Sequence, residues 1–290
     1  MIKYFFLFLL ISLTTQGFSQ CEEKTMIFEK MQLQGINTDT ELLYGYFFYN
    51  SSQSELKKLV AKLEKLNYNI AELAKRENKY FLHAEKQEIH NAKSLCKRDQ
   101  ELRELAKSFS IDVYDGWDVG NIDPSKPLIT KETFQANLAK LDATELYKRA
   151  SRFYELHDFS NALIAFDECI QKDIYTDTSY FKLGVCFLET QNLEQGLNCW
   201  KKAIDINPKY FKAAFNLGAT YYDLGNYTES VHFYKKVIEI EPSNDAALYG
   251  IAASEYMNQH IDQAKIYCDK ALKVNPKNSN AIQLKQMMGK

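Results

Sequence analysis

The 290-residue sequence lacks the residue patterns by which most metalloproteins and many enzymes are recognised. Its five histidines form no HExxH motif and none is closely paired with a cysteine, so zinc sites of the usual spacings are absent. None of the six cysteines forms a CxxC pair, and no glycine-rich loop of the phosphate-binding kind occurs. Pairs of carboxylates that meet only in the fold stay open, but 38 acidic residues offer too many candidates to single one out. We therefore expect a protein without enzyme activity, catalytic residues, metal or cofactor.

A strong net charge is also missing, since 36 basic residues face 38 acidic residues. This balance excludes a general positive field that would draw the chain onto nucleic acid, and no local basic patch stands out. We expect no nucleic-acid partner. The length suits about two domains, and a hydrophobic content of 46% is ordinary for a globular protein, so each domain is able to bury a core.

The apolar run nearest the amino terminus, residues 4–13, is only about half as long as a transmembrane helix requires. Lys3 precedes it, and a polar stretch with small residues at Gly17 and Ser19 follows, which is the layout of a secretory signal peptide. We expect the signal to occupy residues 1–19, with cleavage after Ser19 and no membrane span afterwards. The layout resembles bacterial signals and predicts export to the periplasm or outer envelope of a bacterium. A retained transmembrane helix is the weaker interpretation.

The cysteines allow two further interpretations in an exported protein. Cys21 follows the predicted signal almost directly, as in lipid-modified proteins, but Gln20 argues against that modification because its motif needs a small residue there. Disulfides are permitted outside the cytoplasm. Four cysteines lie at helical positions of the repeat described next, namely Cys169, Cys186, Cys199 and Cys268. A small apolar thiol packs well at such positions, which favours buried free cysteines there and leaves disulfide pairing open.

An internal repeat of 34 residues occurs four times between residues 143 and 278. Small residues recur at the eighth and twentieth positions, where two helices can approach closely, and proline recurs at the thirty-second, where it ends a helix because it offers no amide donor. The recurring residues are Ala150, Gly184, Gly218 and Ala252, then Ala162, Gly196, Ser230 and Ala264, and finally Pro208, Pro242 and Pro276. In the first repeat Ile174 replaces the proline.

The period and these positions resemble the tetratricopeptide repeat (TPR), a helix pair that stacks on its neighbours because it cannot bury its apolar face alone. The resemblance implies an all-α solenoid that binds a protein or peptide partner on the concave face made by the first helix of each pair. Residues 279–290 are expected to form a helix that caps the stack.

The fifth and twelfth positions of each repeat, which lie on one face of the first helix, are mostly aromatic. They are Tyr147, Tyr154, Phe181, Leu188, Phe215, Tyr222, Tyr249 and Tyr256. They predict an aromatic trough suited to an extended peptide or a helix, although aromatic residues at these positions also serve packing alone. A subset of the family grips a terminal carboxylate with lysines and asparagines. Asn216 matches that pattern and is included in the predicted groove, but Tyr147 and Ser151 replace the first-repeat lysine and asparagine, so such a clamp is not expected.

Before the array, strand-like and helix-like segments alternate. Residues 42–50, LLYGYFFYN, read as a buried strand, and a leucine-lined helix follows, with Ser52 and Glu55 at capping-box spacing and Leu56, Leu59, Val60, Leu63 and Leu66 on its inner face. Two short segments around the turn RENK read as a hairpin, a second helix is capped at Asn91, and a last strand begins at Ile111. The order β-α-β-β-α-β is the ferredoxin-like arrangement, in which two helices cover one face of an antiparallel sheet. The predicted fold is therefore α+β: a ferredoxin-like α/β sandwich at residues 42–122, with a lead-in at 20–41 and a linker at 123–142, followed by the all-α TPR solenoid.

The segment IDVYDGWDVG, residues 111–120, places three aspartates around a tryptophan. In a strand Asp115 would point away from Asp112 and Asp118, which disfavours a metal loop. A hairpin turn at Asp115–Gly116 has no partner strand before the proline-bearing linker. A glycine-permitted bulge that turns Trp117 against the domain fits better.

The residues Tyr114, Asp115, Gly116 and Trp117, with YFFYNSSQSELKKLVAKLEKLNYNI upstream, resemble the regulator of ribonuclease activity B family. The resemblance implies a small domain that binds and inhibits ribonuclease E without chemistry of its own. An exported protein would not meet a cytoplasmic ribonuclease, so the fold can be shared while the target is not assumed. Two functions follow: an envelope adapter that binds a partner in the TPR groove, or a regulatory inhibitor of an enzyme that acts through the amino-terminal domain.

Overall fold

A computed structural model describes residues 20–123 and 126–289, and the chain divides into two compact units, residues 1–137 and 138–290. The predicted signal peptide, residues 1–19, lies outside the described residues. Among the described residues, no helix combines the length and the apolar character needed to cross a membrane.

The first unit contains a four-stranded antiparallel sheet in the order β2-β3-β1-β4. Its elements are α1 (Gln20–Gln34), β1 (Leu42–Asn50), α2 (Gln53–Lys65), β2 (Asn69–Arg76), β3 (Lys79–Glu88), α3 (Ala92–Ser108) and β4 (Val113–Gly120), and a short helix α4 (Lys131–Ala139) spans the division between the units. The order and pairing confirm the predicted ferredoxin-like fold.

The core of this unit lies between the sheet and its two crossover helices. Tyr44, Tyr46 and Phe48 alternate along β1 and are at most 1% exposed, as expected for residues on one face of a strand. They pack with the buried leucines of α2 and α3, which are Leu56, Leu59, Leu63, Leu95 and Leu102. Burial of each such side chain contributes about 1.5–3 kcal/mol to folding.

Two local predictions for α2 are wrong. The Ser52 side chain makes no capping hydrogen bond to the helix, because its hydroxyl lies 2.9 Å from Oγ of Ser54 instead. Leu66 is 41% exposed, because α2 ends at Lys65 and the chain turns away through Asn67, whose φ is +60°.

The predictions around α3 fare better. Asn91 does cap this helix, in a reciprocal capping box with Ser94. The last strand begins at Val113 and not at Ile111, because the Ile111 amide donates to the carbonyl of Ala106 and so belongs to the turn that closes α3.

Helix α1 lies against α3, and a disulfide between Cys21 and Cys96 joins the two, with 5.5 Å between their Cα atoms. Phe28 and Met31 of α1 enter the same core as the sheet residues. The pairing resolves the question that the sequence left open for these two cysteines. The remaining four cysteines are free and buried, as predicted for the repeat array.

The second unit consists of helix pairs that stack in chain order. Its elements are α5 (Ala143–Glu155), α6 (Phe159–Gln171), α7 (Thr176–Glu189), α8 (Leu193–Ile206), α9 (Phe211–Asp223), α10 (Tyr227–Ile240), α11 (Asp245–Met257), α12 (Ile261–Val274) and α13 (Ser279–Met288). The all-α solenoid is confirmed. The prolines at positions 208, 242 and 276 each stand two residues after a helix end, and α13 buries Ala281 and Leu284 against the last pair.

The recurring small residues allow close approach between helices, as predicted. A Cβ at Gly184 would lie 2.5 Å from the Trp200 ring, and one at Gly218 would lie 2.9 Å from the Tyr234 ring. Gly250 meets the same Tyr234 ring from α11. Large aromatic side chains of the second helices thus fill space that glycines of the first helices leave open.

Candidate functional site

The predicted groove residues lie on the first helix of each pair. Tyr147 and Tyr154 are on α5, Phe181 is on α7, Phe215, Asn216 and Tyr222 are on α9, and Tyr249 and Tyr256 are on α11. All eight side chains are half-buried. Positions seven residues apart lie on one face of a helix, so each helix presents the same face at the same register. Part of every ring packs into the array while the rest stays accessible.

Two of these rings serve mainly as packing against second helices. Phe181 stacks on Trp200 at 6.4 Å between ring centroids, and the Trp200 indole Nε1 donates to the Phe181 carbonyl at 3.1 Å. Phe215 meets the edge of Tyr234 at 5.4 Å. These contacts fit the packing interpretation of the aromatic positions. These two rings therefore serve the packing of the array more than they offer accessible surface to a partner.

The tyrosines nearer the carboxyl-terminal end of the array also make packing contacts. Tyr222 has its ring centroid 5.4 Å from that of Tyr227, and burial together with the nearby Tyr249 raises its pKa. Tyr249 and Tyr256 pack against the small core that α11, α12 and α13 share. Among the described residues, the side-chain amide of Asn216 has no hydrogen-bond partner, so its donors and acceptor are available.

The first two repeats enclose a lysine that the sequence analysis did not single out. Lys182 Nζ lies 5.1 Å from the centroid of the Tyr147 ring, 5.5 Å from that of Tyr154 and 5.6 Å from that of Phe166. It donates a hydrogen bond to Oγ of Ser151 at 2.9 Å. Each cation–π contact adds electrostatic attraction to the ring face. The available signal was its position, because Lys182 is sixth in its repeat, as Asn216 is in the next.

The charge of Lys182 forms no salt bridge with another described residue. Burial lowers the pKa of its ammonium group, although the nearby Glu155 opposes that effect. In the part of the chain that the structure describes, no carboxylate oxygen lies within the 4.0 Å of a salt bridge to its Nζ. The Glu155 carboxylate pairs instead with Arg152 at 3.1 Å.

In the first unit, the signature residues hold β4 in place. The Tyr114 hydroxyl donates to Oδ1 of Asp99 on α3 at 3.0 Å, and Lys24 Nζ on α1 reaches Oδ2 of the same carboxylate at 3.1 Å. Asp99 is only 3% exposed, so two helices and a strand meet on one buried carboxylate. Arg103 adds a longer contact of 3.5 Å.

The predicted bulge is present. Phe47 of β1 pairs with Gly116 while Phe48 pairs with Tyr114, so Asp115 is the extra residue, and Gly116 has a φ of +101° that favours glycine. Trp117 is half-buried against the core and its ring centroid lies 6.2 Å from that of Tyr44. The signature therefore identifies a structural feature.

The three aspartates of this segment do not converge, as expected. Asp112 accepts a hydrogen bond from the Ser51 amide at 2.8 Å, Asp115 is exposed at the bulge, and Asp118 is half-buried beside Gly45. Burial raises the pKa of Asp118 to about 7. Among the described residues, no cluster of three histidine, cysteine or acidic side chains could hold a metal ion.

A second buried network centres on Glu88 at the end of β3. Its carboxylate oxygens lie 2.9 Å from Arg98 Nη1, 3.3 Å from Lys86 Nζ, 3.1 Å from His90 Nε2 and 3.1 Å from the Tyr46 hydroxyl. Burial alone would raise the pKa of Glu88, but the hydrogen bond from His90 and the charges of Arg98 and Lys86 lower it to about 2. Both oxygens are engaged, so this carboxylate remains ionised and stabilises the fold.

Comparisons with known proteins agree with this division of the chain. Residues 22–119 match the family model described as Regulator of ribonuclease activity B, which begins ahead of β1 and so includes α1. Residues 184–225 and 211–244 match tetratricopeptide repeat models. No curated protein matches the chain.

Solved structures of repeat proteins resemble parts of the chain. MamA from Desulfovibrio magneticus RS-1 is 15% identical, with 51% of this chain and 83% of that chain covered and a TM-score of 0.47. YrrB, described as a TPR protein with an unusual peptide-binding site, is 16% identical over 68% of this chain and 89% of its own, with a TM-score of 0.46. The first TPR of Spaghetti (RPAP3), bound to an HSP90 peptide, is 16% identical over 40% and 91%, with a TM-score of 0.38.

Proposed function

We propose that the chain is a non-enzymatic adapter of the bacterial cell envelope. It carries TPR repeats and an amino-terminal domain that resembles the regulator of ribonuclease activity B family. The observation that carries this proposal is the row of half-buried side chains at a constant register on α5, α7, α9 and α11. A protein or peptide partner laid along that row would complete the burial of several rings at once.

The energetics favour such a partner. An aromatic side chain that passes from partly exposed to covered gains apolar contact area without losing much conformational entropy, because the array already holds its position. A few such residues usually supply most of the affinity of a protein interface. Asn216 would contribute hydrogen bonds to a peptide backbone, which fixes orientation.

The envelope location has separate support. Lys3, the apolar run at 4–13 and the small residues before Gln20 have the layout of an export signal. The Cys21–Cys96 disulfide is of a kind that persists in oxidising compartments outside the cytoplasm. Cell fractionation followed by amino-terminal sequencing tests this part. A mature protein that begins at Gln20 outside the cytoplasm supports export, whereas a cytoplasmic protein that begins at Met1 contradicts it.

The groove is tested by crosslinking in the native compartment with the variants Tyr222→Ala and Tyr249→Ala. We expect each to reduce capture of the partner about tenfold or more, as for a central interface residue. Tyr267→Ala is the matched control, because Tyr267 is a half-buried tyrosine on α12, the second helix of its pair. Equal capture by all variants that keep the helical circular dichroism spectrum would exclude the groove.

A second candidate function is regulatory inhibition of an enzyme by the first unit. The observation that favours it is the family match over residues 22–119, which takes in every strand of the sheet except the last residue of β4. The full chain, titrated into a ribonuclease cleavage assay, tests it. Slower cleavage with a saturable dose response supports inhibition. An unchanged rate, with no complex on size exclusion, rejects inhibition and leaves the adapter as the proposed function.

A further inference from the structure

The lysine in the groove of the first two repeats points to the chemistry of the partner. Lys182 follows Phe181 on α7, and the rings of Tyr147 and Tyr154 on α5 line its side chain. We propose that Lys182 binds an acidic side chain of an extended partner peptide, with the carboxylate on its ammonium and the methylene groups against the two tyrosine rings. This inference rests on the proposed groove function and names the kind of peptide that the groove selects.

Lys182 uses one of its ammonium donors within the described part of the chain. A lysine ammonium has three N–H donors. One of them goes to Oγ of Ser151 at 2.9 Å. The three aromatic faces attract the charge but offer no strong acceptor in place of the other hydrogen bonds. Two donors are therefore available to a carboxylate.

Structural lysines that are buried are commonly paired. Lysines that lose water on folding normally gain a carboxylate partner, because an isolated charge is costly to desolvate. Two lysines of the first unit follow that rule, since Lys24 pairs with Asp99 at 3.1 Å and Lys86 with Glu88 at 3.3 Å, whereas Lys30, which is 7% exposed, has no ion pair among the described residues. Lys182 departs from it on the face where a partner is expected, which favours an external counter-charge.

The walls of the site suit a peptide side chain better than a free ion. Tyr175 stands at the start of α7 with 64% of its surface exposed, and its ring centroid lies 4.7 Å from that of Tyr147. It extends the aromatic surface beside Lys182, so that methylene groups and backbone next to a carboxylate would find apolar contact. A phosphate group is a poorer fit, because sites for phosphate usually contain several lysines or arginines. Among the described residues, Lys182 is the one cation that lies over these rings.

The test uses the full mature chain and a peptide library as the probe. Fluorescein-labelled decapeptides, amidated at the carboxyl end, carry Asp or Glu at one fixed position in turn, and a matched set carries Asn or Gln there. Fluorescence polarisation measures the dissociation constant of each set. We expect at least one position at which the acidic set binds about tenfold more tightly than the amide set, as charge-assisted hydrogen bonds would produce.

The variant Lys182→Met removes the charge and keeps an unbranched apolar side chain of similar length. It should abolish the preference for the acidic set while it still binds the amide set with wild-type affinity. The matched control is Lys202→Met, because Lys202 is an exposed lysine over the Tyr180 ring at 5.2 Å on the second helix α8. This control should keep the full acidic preference.

The outcomes separate this inference from the proposed function. Tight binding of both peptide sets without an acidic preference overturns the role of Lys182 and leaves the groove function standing. An acidic preference that survives in Lys182→Met places the subsite elsewhere and also overturns the inference. Binding of a further peptide set with a free carboxyl end, but not of the amidated sets, assigns the carboxylate to a peptide terminus and rejects the acidic side chain. Failure of every peptide to bind rejects the peptide groove itself.

Discussion

Two carboxylates of the first unit and one lysine of the second unit have opposite surroundings. In the first unit, Asp99 and Glu88 are surrounded by cations and hydroxyl groups, and every oxygen of both carboxylates has a partner. In the second unit, Lys182 is half-buried with aromatic rings around it, and no carboxylate of the described residues is in contact with it. Satisfied charges stabilise a fold, whereas an unsatisfied one on an accessible face marks a place where a partner can add stability. The comparison assigns structure to the first set and recognition to the second.

The largest expected effect comes from breaking the Asp99 network. Asp99→Ala removes the carboxylate that pairs with the buried Lys24 ammonium and accepts from the Tyr114 hydroxyl, and loss of one partner of a buried pair costs about 3–5 kcal/mol. Urea unfolding, followed by Trp117 fluorescence in a Trp200→Phe background, measures this because the chain has two tryptophans. Asp115→Ala, at the exposed bulge, is the control and should stay within about 0.5 kcal/mol.

Removal of the disulfide is the next largest effect and is confined to the first unit. Cys21 and Cys96 are 75 residues apart, so the bond restricts a long segment of the unfolded chain, and its loss by Cys21→Ser with Cys96→Ser costs about 3 kcal/mol. A reductant should lower the thermal midpoint of the wild type and leave that of the double variant unchanged. Equal sensitivity of both proteins would show that the bond does not contribute.

Acid should weaken the first unit through Glu88. Its pKa falls from an ordinary 4.5 to about 2 in the folded chain, so the folded state binds fewer protons between these values than the unfolded state. The stabilisation is complete above about pH 4.5 and is lost as the pH falls towards 2. About 2 kcal/mol is at stake once the roughly 3 kcal/mol of the full pKa change is discounted for solvent screening. The stability of Glu88→Gln should be lower at pH 6 and should depend less on pH from 4.5 to 2. A parallel pH dependence of variant and wild type would contradict this role.

The smallest expected effect distinguishes the units most sharply. Lys182→Met removes a charge that no carboxylate balances, so the second unit should unfold within about 0.5 kcal/mol of the wild type or be slightly more stable. Urea unfolding followed by Trp200 fluorescence in a Trp117→Phe background measures it. A loss of 2 kcal/mol or more would show that Lys182 supports the fold as Lys24 does, and the contrast between the units would fail.

The sequence predicted most of the architecture because the relevant signals are local or periodic. The 34-residue repeat determines the helix pairs, and Asp115–Gly116 indicates the bulge, since glycine tolerates the positive φ found there. Leu66 was misassigned because helical periodicity continues past the point where Asn67 turns the chain. The Cys21–Cys96 bond and the Asp99 network join residues far apart in sequence, which no local pattern encodes.

The groove shows the same limit. The aromatic row follows from repeat positions alone, so all eight predicted residues could be named in advance, and their half-burial is compatible with both packing and binding. The sequence did not single out Lys182 as a binding residue, because the residues that surround it belong to other helices. Only the structure shows rings from α5 and α6 and the Ser151 hydroxyl around one ammonium, without a carboxylate.

The extra residue at the bulge in β4 changes the face of the sheet on which each later side chain of the strand lies. Tyr114 and Trp117 are three positions apart, which in a regular strand would place them on opposite faces, yet both pack into the core on the helix side. Asp115 is a one-residue insertion in a strand whose side chains alternate between two faces. It keeps Trp117 on the helix side and places Asp118 on the other face, beside Gly45. A regular strand of the same sequence would place Gly116 opposite Tyr46, turn Trp117 to the other face and bring the Asp118 carboxylate to the helix side. The four-residue signature therefore determines which side chains of β4 face the core, in addition to making contacts there.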